Sequence, residues 1–119
     1  MNNYKKINIA VIGLGQIGIY LLNELNKNKK KIEILTNKKI NVVGISAKNK
    51  NKKRRFKINK KIFFKNSMDI FKSKKIDILF ECIGLSDGIS KKVVEYSLKN
   101  KIHVITPNKA LIAKHGDYL

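Results

Sequence analysis

One cysteine, one proline, no tryptophan and only two arginines among 119 residues set the first limits on this chain. Cys82 has no partner for an internal disulfide and cannot hold a structural metal by itself, so the fold must rest on packing. Scarce proline and seven glycines beside 43% apolar residues exclude collagen-like and intrinsically disordered chains. No apolar run approaches the ~20 residues needed to span a bilayer, and the polar start Met1-Asn2-Asn3-Tyr4-Lys5-Lys6 is unlike a signal peptide. A soluble cytoplasmic protein without a membrane partner is therefore expected. The length suits one domain and leaves no room for separate cofactor and substrate domains.

Acidic residues are also scarce, eight against 27 basic ones, for a formal net charge of +19. That charge invites a nucleic-acid reading, because clustered cations neutralise phosphates and release counterions. Yet Lys, Ile and Asn, three types with A/T-rich codons, supply 58 of the 119 positions. A phosphate-binding surface would draw more on Arg, whose planar fork bonds phosphate bidentately, and would interleave aromatic rings. Base composition is thus the better account, and no specific nucleic-acid partner is expected. A charge-driven nucleic-acid-binding module stays as the alternative.

Apolar runs and helical spacings alternate along the chain. Residues 7–12 form a β-branched run too short for a helix, and it stops at Gly13. Over 16–35, Ile17, Tyr20, Leu21, Leu25, Ile32 and Leu35 recur at spacings near three and four and predict an amphipathic helix. Further strands are expected at 41–46, 62–64, 76–83 and 102–106. Short helices are expected at 67–74, capped by Ser67, and after Asp87, with Ile89, Val93, Val94, Tyr96 and Leu98 facing inward. Another begins at 108–114, after Pro107 ends the last strand. The stretch 48–61 is a polar, strongly basic connection. Strands apolar on both faces that alternate with helices predict an α/β fold, a mainly parallel sheet of about five strands covered on both sides.

Gly13-Leu14-Gly15-Gln16-Ile17-Gly18 matches the dinucleotide-binding fingerprint, and its setting between the first strand and first helix gives the match weight. Gly13 permits the tight turn, Gly15 lets backbone approach a pyrophosphate, and Gly18 lets helix and strand pack closely. The helix N-terminus adds unpaired amides and a partial positive charge. The fold is then Rossmann-type and doubly wound, with 1–119 as an incomplete dinucleotide-binding domain.

The usual carboxylate at the end of the second strand, which binds the ribose 2′-hydroxyl of NAD, is missing. No acidic residue occurs between Glu33 and Asp69, and the strand runs instead into Ser46-Ala47-Lys48. A hydroxyl and an ammonium suit a 2′-phosphate, so NADP is the expected cofactor, with NAD possible, and Ser46 and Lys48 its contacts. One charged hydrogen bond, roughly 1.5–3 kcal/mol, corresponds to a preference of about ten- to a hundredfold.

These residues resemble a family. The fingerprint, Ile45-Ser46-Ala47-Lys48, Glu81-Cys82-Ile83-Gly84-Leu85-Ser86-Asp87-Gly88 and the stretch from His103 through Thr106-Pro107-Asn108-Lys109 to Gly116 look, in order and spacing, like the N-terminal region of homoserine dehydrogenase. The last stretch is the most specific, and the basic loop 49–61 the least similar. Pro107 and Cys82 depart from the family's common residues without removing a polar group.

The resemblance implies reversible hydride transfer between NAD(P)H and aspartate 4-semialdehyde, giving homoserine on the route to threonine, isoleucine and methionine. It places Leu14, Gln16 and Ile17 along the cofactor, Ile83 and Gly84 near ribose and nicotinamide, and Thr106 at the head of the Thr-x-Asn-Lys motif. It gives Lys109 a place beside cofactor and reacting centre, where a cation would stabilise the developing alkoxide. Family chains are several times longer and carry a substrate-binding, dimerising domain. The expectation is therefore a truncated cofactor half-site, marginally stable and inactive alone, whose full-length form is a homo-oligomer acting on a small amino-acid substrate. The cofactor domain of another aspartate-pathway reductase is the runner-up.

Three other features are read as bland. Cys82 belongs to an apolar strand as a small hydrophobe. His103 and His115 lack ligand partners at metal-binding spacing, so no metal site is expected. Asp77 and Glu81 share one side of a strand without further signs of an acid/base pair.

Overall fold

A computed structural model describes residues 5–47, 59–83 and 88–106. The first apolar run becomes β1 (Lys5–Ile12), whose burial deepens along its length until Ile9 to Ile12 are at most 2% exposed. Next come α1 (Gln16–Thr36), β2 (Lys38–Ser46), α2 (Met68–Ser73), β3 (Ile78–Glu81), α3 (Ile89–Lys99) and β4 (His103–Ile105). All strand pairs are parallel, in the order β2-β1-β3-β4. From β1 the chain adds β2 on one side and then crosses to place β3 on the other. The order reverses between β1 and β3, which opens a crevice at their C-terminal ends, where such sheets bind ligands.

Alternation along β1 divides the core between the two faces. Ile9 and Val11 join Leu14, Leu22 and Ile45 beneath α1, while Ala10 and Ile12 join Ile70, Leu79, Val93 and Val94 beneath α2 and α3. The sheet is therefore covered on both faces, as the apolar strands predict.

The strand expected at 62–64 is a single bridge. Phe63 pairs with Ile45, held by the Ile45 amide on the Ile62 carbonyl and the Phe64 amide on the Ile45 carbonyl. Three apolar residues give one rung before Lys65-Asn66 turns into α2, so the described sheet has four strands. Ser67 does not cap α2. Its backbone is already helical, at φ −56° and ψ −37°, and the Asn66 side chain accepts the Met68 amide instead, at 3.0 Å. Asp87 lies outside the described residues, as does the helix expected at 108–114.

Helix faces also depart from expectation. On α1, Ile17, Tyr20 and Leu35 are 56%, 67% and 73% exposed, whereas Gly18 and Leu22 are buried. Close packing of Gly18 on the Gly13 turn fixes the helix's rotation and overrides the phase of its larger side chains. On α3, Tyr96 and Leu98 turn outward and Ser90 and Ser97 inward. The Ser97 hydroxyl is satisfied by the Val93 carbonyl at 2.7 Å, so a small polar residue lets the helix sit close to the sheet. Tyr96 packs against Phe71 with the rings tilted by 40° and their centroids 4.6 Å apart.

Candidate dinucleotide-binding crevice

At the end of β1 the chain turns at Gly13, with φ +99°, a region that only glycine enters readily. Its amide donates to the Ser46 carbonyl at 2.8 Å, tying the turn to the end of β2. On its other side it presses against β3, since a Cβ here would lie 2.6 Å from the Cys82 carbonyl carbon. Gly18 is equally constrained, because its Cβ would run into the Gly13 carbonyl group. Gly15 differs from both. Its backbone is extended, at φ −79° and ψ −159°, and no atom of the described residues lies within 4 Å of a Cβ placed there.

Thus two glycines are required by the protein's own packing and the third borders open space. The Ile19 amide donates to the Gly15 carbonyl at 2.9 Å, so the amides of Gln16, Ile17 and Gly18 precede the helical ladder. No acidic side chain occupies the first turn of α1, which leaves the positive end of its dipole uncompensated. This cradle fits a pyrophosphate: it has amide donors, positive potential and a glycine surface open to close approach.

The expected contacts fall in three groups. Gly13, Leu14, Gly15, Gln16, Ile17 and Gly18 form the turn, with Leu14 buried and Gln16 and Ile17 exposed. Ser46 ends β2, and Ile83 and Thr106 follow the ends of β3 and β4 along the same edge. Ser46 is 1% exposed, and its hydroxyl accepts from Ser67 at 3.0 Å. Lys48, Gly84 and Lys109 lie outside the described residues.

One residue of the crevice escaped the sequence reading. Glu81 is fully buried, and its carboxylate accepts the Ile83 amide at 2.7 Å and the Thr106 hydroxyl at 2.6 Å. Asp77, read beside it, lies at the opposite end of β3, where it accepts the Asn8 amide at 2.8 Å. The only available signal was an acid in an otherwise apolar strand, since its partner Thr106 stands 25 residues away.

Cys82 follows Glu81 and is half-buried. Burial, and secondarily the Glu81 charge, push its thiol from the ordinary 9.0 up to about 11. Such a thiol is a poor nucleophile, in keeping with a packing role. At pH 8 the folded chain should alkylate with iodoacetamide about a hundredfold more slowly than the same chain in denaturant, by the ratio of thiolate fractions. Equal rates would show that Cys82 is neither buried nor shifted.

A cavity of about 580 Å³ lies at the other edge of the sheet, among Lys5, Lys38, Phe71, Tyr96 and His103. It faces the strand starts, away from the crevice, and its lysines are solvated side chains. Among the described residues no cluster of His, Cys, Asp and Glu could hold a metal ion, and no helix is long and apolar enough to cross a membrane.

Residues 13–119 match the family model described as homoserine dehydrogenase, NAD binding domain. The chain is 32% identical over 116 residues to a homoserine dehydrogenase of Pseudomonas aeruginosa, covering 95% of this chain and 25% of that protein. It is 27% identical over 113 residues to that of Neisseria gonorrhoeae, covering 95% and 26%. Among solved structures, homoserine dehydrogenase of S. aureus superposes with a TM-score of 0.86 at 34% identity, over 97% of this chain and 30% of that one. The enzyme from Thiobacillus denitrificans gives 0.82 at 27% identity, over 99% and 27%. The chain spans about a quarter of the length of the curated relatives it matches.

Proposed function

This chain belongs to the homoserine dehydrogenase family, through its NAD-binding domain, and on that premise we propose that it is the cofactor-binding part of an NADP-linked homoserine dehydrogenase. One observation supports this most strongly. The fingerprint turn closes Gly13 and Gly18 against protein and leaves Gly15 open, at a helix N-terminus beside the point where strand order reverses.

When bound, a nicotinamide dinucleotide would supply or accept the hydride. The chain's own residues do the holding. Amides of Gln16, Ile17 and Gly18 take the pyrophosphate at the first turn of α1, and the ends of β3 and β4, at Ile83 and Thr106, border the nicotinamide side. Lys109 carries the cation that stabilises negative charge developing on the aldehyde oxygen. Because the chain spans about a quarter of such relatives, it is assigned cofactor binding and not turnover alone. The amino-acid substrate and homo-oligomeric assembly belong to the whole enzyme.

Cofactor choice rests on the end of β2. No acidic residue lies between Glu33 and Asp69 to repel a 2′-phosphate. Ser46 is 1% exposed and its hydroxyl accepts from Ser67, so discrimination falls chiefly on Lys48.

Titration of the chain with NADPH and NADH at two salt concentrations, with duplex DNA as competitor, tests the reading. Saturable NADPH binding about ten- to a hundredfold tighter than NADH binding, and resistant to DNA, is expected. If a chain folded by circular dichroism binds DNA with a steep salt dependence and neither nucleotide, the +19 charge is the functional feature and the half-site reading fails.

A further inference from the structure

We propose that Glu81 is a positioning residue for the cofactor crevice, setting the Ile83 amide and the polarity of the Thr106 hydroxyl. The inference rests on the reading of the crevice given above.

Glu81 is 0% exposed, and among the described residues no Lys, Arg or His stands within ion-pair distance of it. A buried carboxylate without a cation is costly, and a branched apolar residue such as Leu79, two positions earlier on the same face, satisfies the core without that cost. Breaking a local rule in this way is expected where a site needs the group. Here the group sits at the C-terminal edge of the sheet, beside the reversal of strand order, and each of its oxygens is committed. Oε1 accepts the Ile83 amide and fixes the exit of β3, while Oε2 accepts the Thr106 hydroxyl and fixes the end of β4. A single side chain thereby sets two strand ends that border the nicotinamide side.

A carboxylate is acceptor-only, so the Thr106 proton is directed at Glu81. With its proton committed there, Thr106 can offer any further partner only an acceptor. The same buried charge favours the cationic oxidised nicotinamide over the neutral reduced one. Glu81→Gln separates these effects from simple bracing. The amide keeps the shape and can still accept from Ile83, but it donates to Thr106, reverses that hydroxyl and removes the charge.

The affinities of NADP+ and NADPH should be measured by fluorescence titration for the wild-type chain, Glu81→Gln, Thr106→Val and the double variant, with thermal melting followed in parallel. The expected result is a loss of about tenfold for NADP+ in Glu81→Gln, with a smaller loss for NADPH. Thr106→Val should weaken binding, Thr106→Ser should restore it, and losses in the double variant should fall short of additive because both residues form one network. If Glu81→Gln does not fold, the Thr106→Val and Thr106→Ser pair carries the test alone. Unchanged affinities for both nucleotides beside a lowered melting temperature would reduce Glu81 to a brace and overturn the inference, leaving the crevice assignment standing. Failure of the wild-type chain to bind either nucleotide would remove that assignment and the inference together.

Discussion

Gly13→Ala is expected to remove a large part of the chain's stability. A φ of +99° strains any residue with a Cβ, by about 1–3 kcal/mol. The added methyl would also meet the Cys82 carbonyl carbon at 2.6 Å, its oxygen at 2.7 Å and the Ile83 nitrogen at 2.8 Å. These are backbone atoms of the segment leaving β3 and cannot rotate aside, so overpacking adds about 1–3 kcal/mol more. Against a typical total of ~5–15 kcal/mol, a combined loss of about 2–6 kcal/mol leaves a marginal fold. Gly18→Ala should approach this effect through its clash with the Gly13 carbonyl. Urea denaturation followed by circular dichroism measures both. A Gly13→Ala midpoint within error of wild type would mean that the turn does not press against β3, and the geometry of the crevice would have to be redrawn.

The same turn shows what the sequence made legible. Strand, fingerprint and helix could be read in order because short β-branched runs, glycine breaks and helical spacings are local signals. The rotation of α1 could not, since it depends on Gly18 meeting Gly13 across the turn. Ile17 and Tyr20 therefore counted as inward when they are exposed. Tyr96 and Ser97 exchanged places for a similar reason: on α3 the buried face is chosen by how closely the helix approaches the sheet, and a serine bonded to Val93 fits where a larger residue does not. Residues 62–64 had strand composition, but length and the neighbouring Asn66 turn limited them to one rung.

The candidate site divides along the same line. Gly13, Gly15 and Gly18 were assigned from their spacing. Ser46 was read from its position beside Lys48 as a phosphate contact; what could not be read is that its hydroxyl accepts from Ser67, a partner 21 residues distant that no local pattern could supply. Glu81 was passed over for want of the same kind of information, because its roles come from Ile83 and Thr106 at the ends of two strands.

Gly15→Asp should do the reverse of Gly13→Ala, abolishing cofactor binding while leaving the fold intact. The backbone at Gly15 is extended and ordinary for any residue, and a Cβ there meets no atom of the described residues within 4 Å. It is also the N-cap position of α1, and no side chain caps the helix there. An aspartate would accept a first-turn amide and complement the helix dipole, so stability should hold or rise by a few tenths of a kcal/mol. The pyrophosphate would then meet a carboxylate where it needs amide donors. At an effective dielectric constant near 20, two unit charges about 5 Å apart repel by roughly 3 kcal/mol, and a pyrophosphate carries more than one charge. A loss of at least about a hundredfold in NADPH affinity follows. Melting and nucleotide titration of one sample test both halves. Wild-type affinity in a folded Gly15→Asp chain would place the pyrophosphate elsewhere, and an unfolded variant would mean that the space beside Gly15 is needed by the protein and not by a ligand.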